Sequence, residues 1–547
     1  MTEDQLKKYV TYLIEQGYVV ELENDKFKIS IIIKEFDIVL WCSLSRFFPY
    51  EIPKIFIDSD SGKILPIMPH LYTDDSICIF DKGKVVPNVN EPELLIVDTI
   101  KAAITVIEDG ITKKNHHDYM NEFEEYWSTK GIIKAQMFVD ELNEAKSLFW
   151  VFKEENIIIA ESVSRLHEIS DAIGGEKIKE KKIQIGLLVP LDGEKVDRIP
   201  KTDTDIIKII ENYTSYGAKY NSFMQKNIDK NILIIFNLVI PEGSMIAGWI
   251  HCGPGVPKGF RKGHVNLNAA FGLSKETGLA VSIENCHQNR LFSRGGDGSE
   301  IVWNKVGIIG CGSIGSYLAN ALAASGTEKY ILVDNERLKY ENVARHSCGY
   351  FWVDCYKADA IGFNLQKHNP NITYEAYNEN AHGFLEDSTD KINECNIVFV
   401  AVASVALEHH INKLKLDNRI TVPIVLLWVE PYAFGGHAVF IRKAQNLYNE
   451  IFDKYSMEYK FNIVKNGADY LKREAGCQST YMPYSGFLLQ QYVYQSLEYI
   501  MSNYWDKKGN YRLTWCGKLS DAIQMGVEIS EEYEEIEDFA LISKRID

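Results

Sequence analysis

A turn with spaced glycines stands at residues 310–315. The apolar run Val306-Gly307-Ile308-Ile309 leads directly into Gly310-x-Gly312-x-x-Gly315, and a helical pattern, Ser316 to Ala324, follows. Glycines at that spacing permit a tight turn and let backbone amides approach a phosphate at the start of a helix. A second apolar run, Tyr330 to Val333, ends in Asp334, where a carboxylate can accept hydrogen bonds from a ribose. On these residues alone the chemistry is nucleotide binding, and NAD fits as well as ATP. Further along come Glu336, then Glu341-Asn342-Val343-Ala344-Arg345-His346, then Lys357-Ala358.

Two of the ten cysteines stand where a thiol could react. Cys477 lies in Arg473-Glu474-Ala475-Gly476-Cys477-Gln478-Ser479-Thr480, a polar, turn-prone segment, and Lys472 and Arg473 favour the thiolate. Cys78 lies in Asp75-Ser76-Ile77-Cys78-Ile79, eight residues after His70 in Pro69-His70. Upstream is the proline-marked run Phe48-Pro49-Tyr50-Glu51-Ile52-Pro53-Lys54. Cys311, in the glycine turn, and Cys348, Cys355, Cys395 and Cys516 read as small packing residues. There is no CxxC pair and no framework spacing, so the thiols read as reduced, in a cytoplasmic protein without a disulfide scaffold or zinc site.

These residues need elements to position them. Residues 1–112 read as a small α/β domain: a helix over Gln5 to Gly17, strands over Phe27 to Ile33, Asp37 to Ser43 and Lys54 to Ile57, and a helix over Glu91 to Glu108. Residues 113–180 read as a polar, mainly helical connector. Residues 181–290 mix apolar runs with loops, among them the turn-rich His251 to Gly259, and carry no assignable chemistry. Residues 291–547 alternate apolar strands with helical patterns, which predicts a doubly wound parallel sheet. Its strands are expected over Lys305 to Ile309, Lys329 to Val333, Ile397 to Ala401 and Ile424 to Val429, and the acidic run Glu531 to Glu535 reads as a solvated end. The 547 residues carry 46% hydrophobic and 25% charged side chains, an ordinary globular composition long enough for several domains. A formal charge of −17 argues against nucleic acid as a partner. The apolar runs are too short for a membrane span, and the first residues do not form a signal peptide.

The run from Gly310 through Asp334, Glu336, Asn342, Arg345 and His346 to Lys357 resembles the E1/ThiF/MoeB adenylation family. That pattern is a glycine loop, Asp-x-Asp/Glu, Asn-x-x-Arg-His/Gln and a downstream Lys, and NAD enzymes have no use for its Asn, Arg and Lys. The resemblance implies ATP with Mg2+, and attack of a carboxylate on the α-phosphate with loss of pyrophosphate. Arg345 and Lys357 would then supply positive charge at the transition state, and Asn342 a hydrogen bond to a phosphate or ribose oxygen. Arg290 or Arg294 resembles the arginine that reaches across the homodimer in this family. One departure stands out. The family's magnesium-binding Asp after the third strand is missing from Val400-Ala401-Val402-Ala403-Ser404, leaving Glu336 or Glu430 as substitutes and the metal ligands open.

The segment around Cys477 resembles the Gly-Cys loop of bacterial E1-type domains fused to an E2. The N-terminal pattern resembles the ubiquitin-conjugating (E2) fold, in which Cys78 falls on the active cysteine and His70 where the family places Asn. Together they resemble the E2–E1 fusion proteins of CBASS anti-phage operons. That resemblance implies activation of a protein C-terminus, passage from Cys477 to Cys78, and transfer to an amine of a target protein with His70 assisting. The substrate it implies is a CD-NTase. Two other classes stay open: an adenylyltransferase for sulfur-carrier proteins, and a non-catalytic module with a degenerate nucleotide site.

Overall fold

The structure is a computed structural model. It describes residues 2–65, 69–72, 74–80, 85–115, 118, 127, 133–193, 200–240, 243–274, 277–296, 298–453, 455, 459–473 and 480–546. The chain divides into two compact units, Met1–Leu166 with Ile178–Cys286, and His167–Lys177 with His287–Asp547. No helix among the described residues is long and apolar enough to cross a membrane.

The first unit opens with helix Glu3–Glu15, started by a capping box in which Thr2 and Gln5 exchange side-chain and backbone bonds. An antiparallel meander follows: β1 (Val19–Glu23), β2 (Lys26–Ile33), β3 (Phe36–Ser43) and β4 (Lys54–Ile57). Alternating side chains of β2 to β4, such as Phe27, Ile29, Leu40 and Ile55, pack with Ile96 and Ile100 of helix Pro92–Ile111. This agrees with the sequence expectation apart from β1, whose outward-facing Val19 and acidic ends mask its alternation.

The expected helical connector is corrected by the structure. Residues 133–160 form three strands, β5 (Ile133–Phe138), β6 (Lys146–Lys153) and β7 (Asn156–Ala160). They join β8 (Gln184–Asp192), β9 (Ile232–Ile240), β10 (Gly243–His251) and β11 (Leu279–Asn285) in a closed barrel of order β10-β11-β5-β7-β6-β8-β9. The polar flanks hid the local β6–β7 hairpin, Lys153 opposite Asn156, and β5, which pairs in parallel with the remote β11, Ile133 opposite Val281. Ala135, Met137, Trp150, Ile159 and Val281 share one core cluster, and helices Asp203–Tyr213 and Gly217–Lys226 contribute Ile206, Ile210, Tyr220 and Met224 to another.

The second unit is built on an eight-stranded sheet. Its parallel part is β12 (Lys305–Ile309), β13 (Lys329–Val333), β14 (Thr373–Tyr377), β15 (Ile397–Val400) and β16 (Ile424–Val429), in the order β14-β13-β12-β15-β16. Helices Ser313–Ala324, Lys357–His368 and Gly486–Ser502 share one core cluster with the sheet, and Ala381–Asp387 and Val405–Leu416 another, so both faces are covered and the inner parallel strands are mostly apolar, while the edge strand β14 carries Thr373 and Glu375. Beyond β16 the sheet turns antiparallel through β17 (Gly435–Ile441), β20 (Asn510–Cys516) and β21 (Leu541–Ile546). A separate two-stranded ribbon, β18 (Lys472–Arg473) and β19 (Thr480–Tyr481), brackets residues 474–479. The acidic run at 531–535 is not a loose end. Tyr533 is buried within it and donates to the Phe461 carbonyl (3.3 Å).

Candidate active sites

The glycine turn sits where β12 becomes helix Ser313–Ala324. Gly310 has φ +94°, and a Cβ there would come within 2.8 Å of the Ala401 backbone. A Cβ on Gly315 would sit 2.0 Å from the Gly310 carbonyl oxygen, so the turn closes only with glycine at both positions. Asp334, at the end of β13, braces this turn. Its Oδ2 accepts from the Cys311 amide (2.8 Å) and its Oδ1 from the Glu336 amide (2.7 Å). Burial pushes the Asp334 carboxyl up.

Gly310, Gly312, Asp334, Glu336 and Lys357 line a single cleft of about 360 Å³ at the carboxyl ends of the parallel strands. That is the usual ligand position in an open α/β sheet. Lys357 is buried and donates to the exposed carboxylate of Glu336, which it holds below the usual carboxylate range. The helix beginning at Ser313 has no side-chain cap, so its first amides remain available to an anion.

His346, quoted in the sequence motif without a role, has a structural one. Its Nδ1 accepts from the Cys348 amide (3.0 Å), which leaves the proton on Nε2, and Nε2 donates to the Cys311 carbonyl (2.8 Å). Burial drives its pKa down to about 4, so the ring that clamps the turn is neutral.

Arg345 and Asn342 lie outside this cleft lining. The Arg345 guanidinium stacks over Tyr484 (4.7 Å) and donates to the Met482 carbonyl (2.9 Å). Tyr484 in turn donates to Ser313 Oγ (3.1 Å), so Arg345 is one side chain removed from the helix start. Asn342 Oδ1 accepts from the Lys339 amide (3.0 Å) in a short 3₁₀ turn. Arg290 and Arg294 are exposed on helix Gln288–Gly295. Cys477 lies outside the described residues.

Glu430 is not available to a metal. It is buried and accepts from His437 Nε2 (2.5 Å), the Ile463 amide (2.7 Å) and the Val464 amide (2.6 Å). Among the described residues no group of three or more His, Cys, Asp or Glu side chains is placed to hold a metal ion. Glu336 and Glu379 are the exposed carboxylates lining the cleft.

In the first unit, the segment from His70 to Cys78 folds back on itself against β4. Cys78 donates its amide to the His70 carbonyl (2.8 Å), Ile77 to Ile55 (2.9 Å), and Ile57 to Asp75 (2.8 Å). His70 and Asp75 take positive φ values, 67° and 65°, that let the segment reverse. Cys78 is half-buried. The His70 ring stands 3.2 Å, by its Nε2, from Asp118 Oδ2, a partner 48 residues away that no local pattern announces.

Residues 290–478 match the ThiF family and residues 21–135 match Prokaryotic E2 family B. The chain is therefore an E1-like adenylating enzyme fused to an E2-like domain. It is similar to the ATP-dependent ubiquitin transferase-like protein Cap2 of Pseudomonas aeruginosa, at 21% identity over 457 residues, 80% of this chain and 79% of that protein. It is also similar to the ubiquitin-like modifier-activating enzyme 5 of Bombyx mori, at 35% identity over 75 residues, 14% of this chain and 19% of that protein. Among solved structures, E. coli MccB with ATP is 17% identical, with a TM-score of 0.30; the match covers 44% of this chain and 63% of that one.

Proposed function

We propose that this protein activates the C-terminus of another protein with ATP, and carries it as a thioester to an amine. In the first step the substrate carboxylate attacks the α-phosphate in the cleft, the bond to pyrophosphate breaks, and an acyl-adenylate forms. The first amides of helix Ser313–Ala324 and Lys357 stabilise the charge that develops, and Asp334 holds the turn and faces the ribose. Cys477 then attacks the acyl carbon and AMP leaves. Cys78 takes the acyl group by thioester exchange, and the target amine displaces it with His70, oriented by Asp118, assisting. Magnesium would arrive with the triphosphate, for which Glu336 and Glu379 offer the carboxylates.

The observation that carries this reading is the gathering of Gly310, Gly312, Asp334, Glu336 and Lys357 in one cleft of a ThiF-type sheet. The similarity to Cap2 over most of both chains supports the two-domain relay. We assign residues 1–112 to conjugation and 291–547 to activation, with the barrel between them as a scaffold. The partner set is a CD-NTase as substrate, a lysine or other amine as target, and a second copy as homodimer partner in the cytoplasm, the whole serving anti-phage defence. Arg294 is proposed to reach the second copy's site.

ATP–pyrophosphate exchange with a candidate substrate protein, followed by non-reducing gels, tests the relay. Cys477→Ala should lose both thioester bands and keep exchange, and Cys78→Ala should lose only the second band. Thioesters that form normally in both variants would sink the assignment.

A further inference from the structure

Gly312, the start of helix Ser313–Ala324 and Lys357 define the phosphate end, with Asp334 next to it. The cleft is also lined by Ala381 and His382 at the start of helix Ala381–Asp387, by Val402, which follows β15 and lies beside Gly310, and by Leu407 of helix Val405–Leu416. With the phosphates on the glycine turn and the ribose at Asp334, we place the base of a nucleotide toward Ala381, His382 and Leu407 of this lining. The aliphatic side chains suit the faces of a purine, and His382 supplies the polar contact at its edge.

The His382 ring is not free to choose its protonation pattern. Its Nδ1 lies 2.9 Å from Nδ1 of His410, with the two rings stacked 5.1 Å apart at 15°. His410 Nε2 lies 2.7 Å from Glu386 Oε1, and Arg419 binds Glu386 Oε2 at 2.7 Å. Arg419, followed by His410, holds the Glu386 carboxyl below its usual range, so it accepts. One proton fits between the two Nδ1 atoms. Neutral His410 gives its own proton to Glu386 from Nε2 and offers a lone pair at Nδ1. His382 must then donate from Nδ1, which leaves its Nε2 as an acceptor. That Nε2 has no partner among the described residues. An acceptor here suits the exocyclic amine of adenine and opposes the carbonyl of guanine, and a mismatched polar contact discriminates more strongly than a lost apolar one.

We propose that His382 selects adenine in this cleft, as the terminal member of a His382–His410–Glu386–Arg419 chain that fixes it as a hydrogen-bond acceptor. The proposal rests on the adenylation reading. His382 is the specificity residue, and His410 and Glu386 position it. The charged groups sharing the cleft are Asp334, Glu336, Lys357 and Glu379, and behind His382 stand His410, Glu386 and Arg419.

Equilibrium binding to the full chain, with ATP, GTP and purine riboside triphosphate (which lacks the 6-amino group), tests it. ATP should bind about tenfold more tightly than the purine analogue, which is one hydrogen bond's worth of discrimination, and GTP should bind no better than the analogue. In His382→Leu the ATP and purine-analogue affinities should come within about twofold. Equal binding of ATP and the purine analogue by the wild type would overturn the proposal and leave the adenylation reading standing. Failure of every triphosphate to bind, with pyrophosphate exchange absent, would overturn the adenylation reading itself.

Discussion

His346 ties the glycine turn to the segment after Arg345 through two hydrogen bonds, and its burial gives that tie a pH signature. Its folded pKa, about 4, lies below the ordinary 6.5. The unfolded chain therefore takes the proton first. The stabilisation is whole above pH 6.5 and is lost as pH falls toward 4, at most about 3 kcal/mol. Urea unfolding of wild type and His346→Gln across that window should show a steeper decline for wild type. Lys357, buried at the cleft, has a different role. Lys357→Ala should lower pyrophosphate exchange about 10²- to 10³-fold, the usual cost of removing one transition-state stabiliser. Glu336→Gln should cost much less, because the ammonium remains. That Asp334 and Lys357 share a cleft with the glycine turn was legible from residue types and spacing. Which atoms they touch was not. Arg345 against Tyr484 and His70 against Asp118 join positions 139 and 48 apart in the chain (484 − 345 and 118 − 70), and only the fold brings them together.

Secondary-structure elements divide in the same way. β12, β13, β15 and β16 are short apolar runs buried on both faces, and such runs announce a parallel sheet without help from their partners. The glycine turn is equally local, and a local substitution should break it. Gly315→Ala places a Cβ 2.0 Å from the Gly310 carbonyl, so the turn or the helix must shift. We expect about 1–3 kcal/mol of destabilisation in thermal unfolding and loss of pyrophosphate exchange. β5 was illegible because a barrel strand is specified by what it pairs with. Ala135 and Met137 point inward only once β11 lies alongside. Trp150 is 1% exposed in that barrel, and Trp150→Ala should cost about 3–5 kcal/mol in urea unfolding.

At the scale of the molecule, the two compact units give a prediction of their own. ATP at a hundred times its dissociation constant adds about 2.7 kcal/mol to the unit that binds it. Calorimetry should then show the transition of residues 287–547 moving up and the other standing still. An equal rise of both would contradict a nucleotide site confined to the second unit. The thiols differ across the molecule as well. Cys311 is fully buried in the phosphate turn and its thiol is pushed well above the ordinary range. Burial likewise lifts Cys348 to about 11, Cys395 to about 12 and Cys516 to about 11. None of these is poised as a thiolate. On the proposed relay, an oxidant would therefore silence the carriers before the adenylating pocket. A cell under oxidative stress would hold an enzyme that still splits ATP and forms the mixed anhydride, with nowhere to deliver it. Pyrophosphate exchange that persists while neither thioester forms, with AMP still held in the anhydride, would be the mark of that uncoupling.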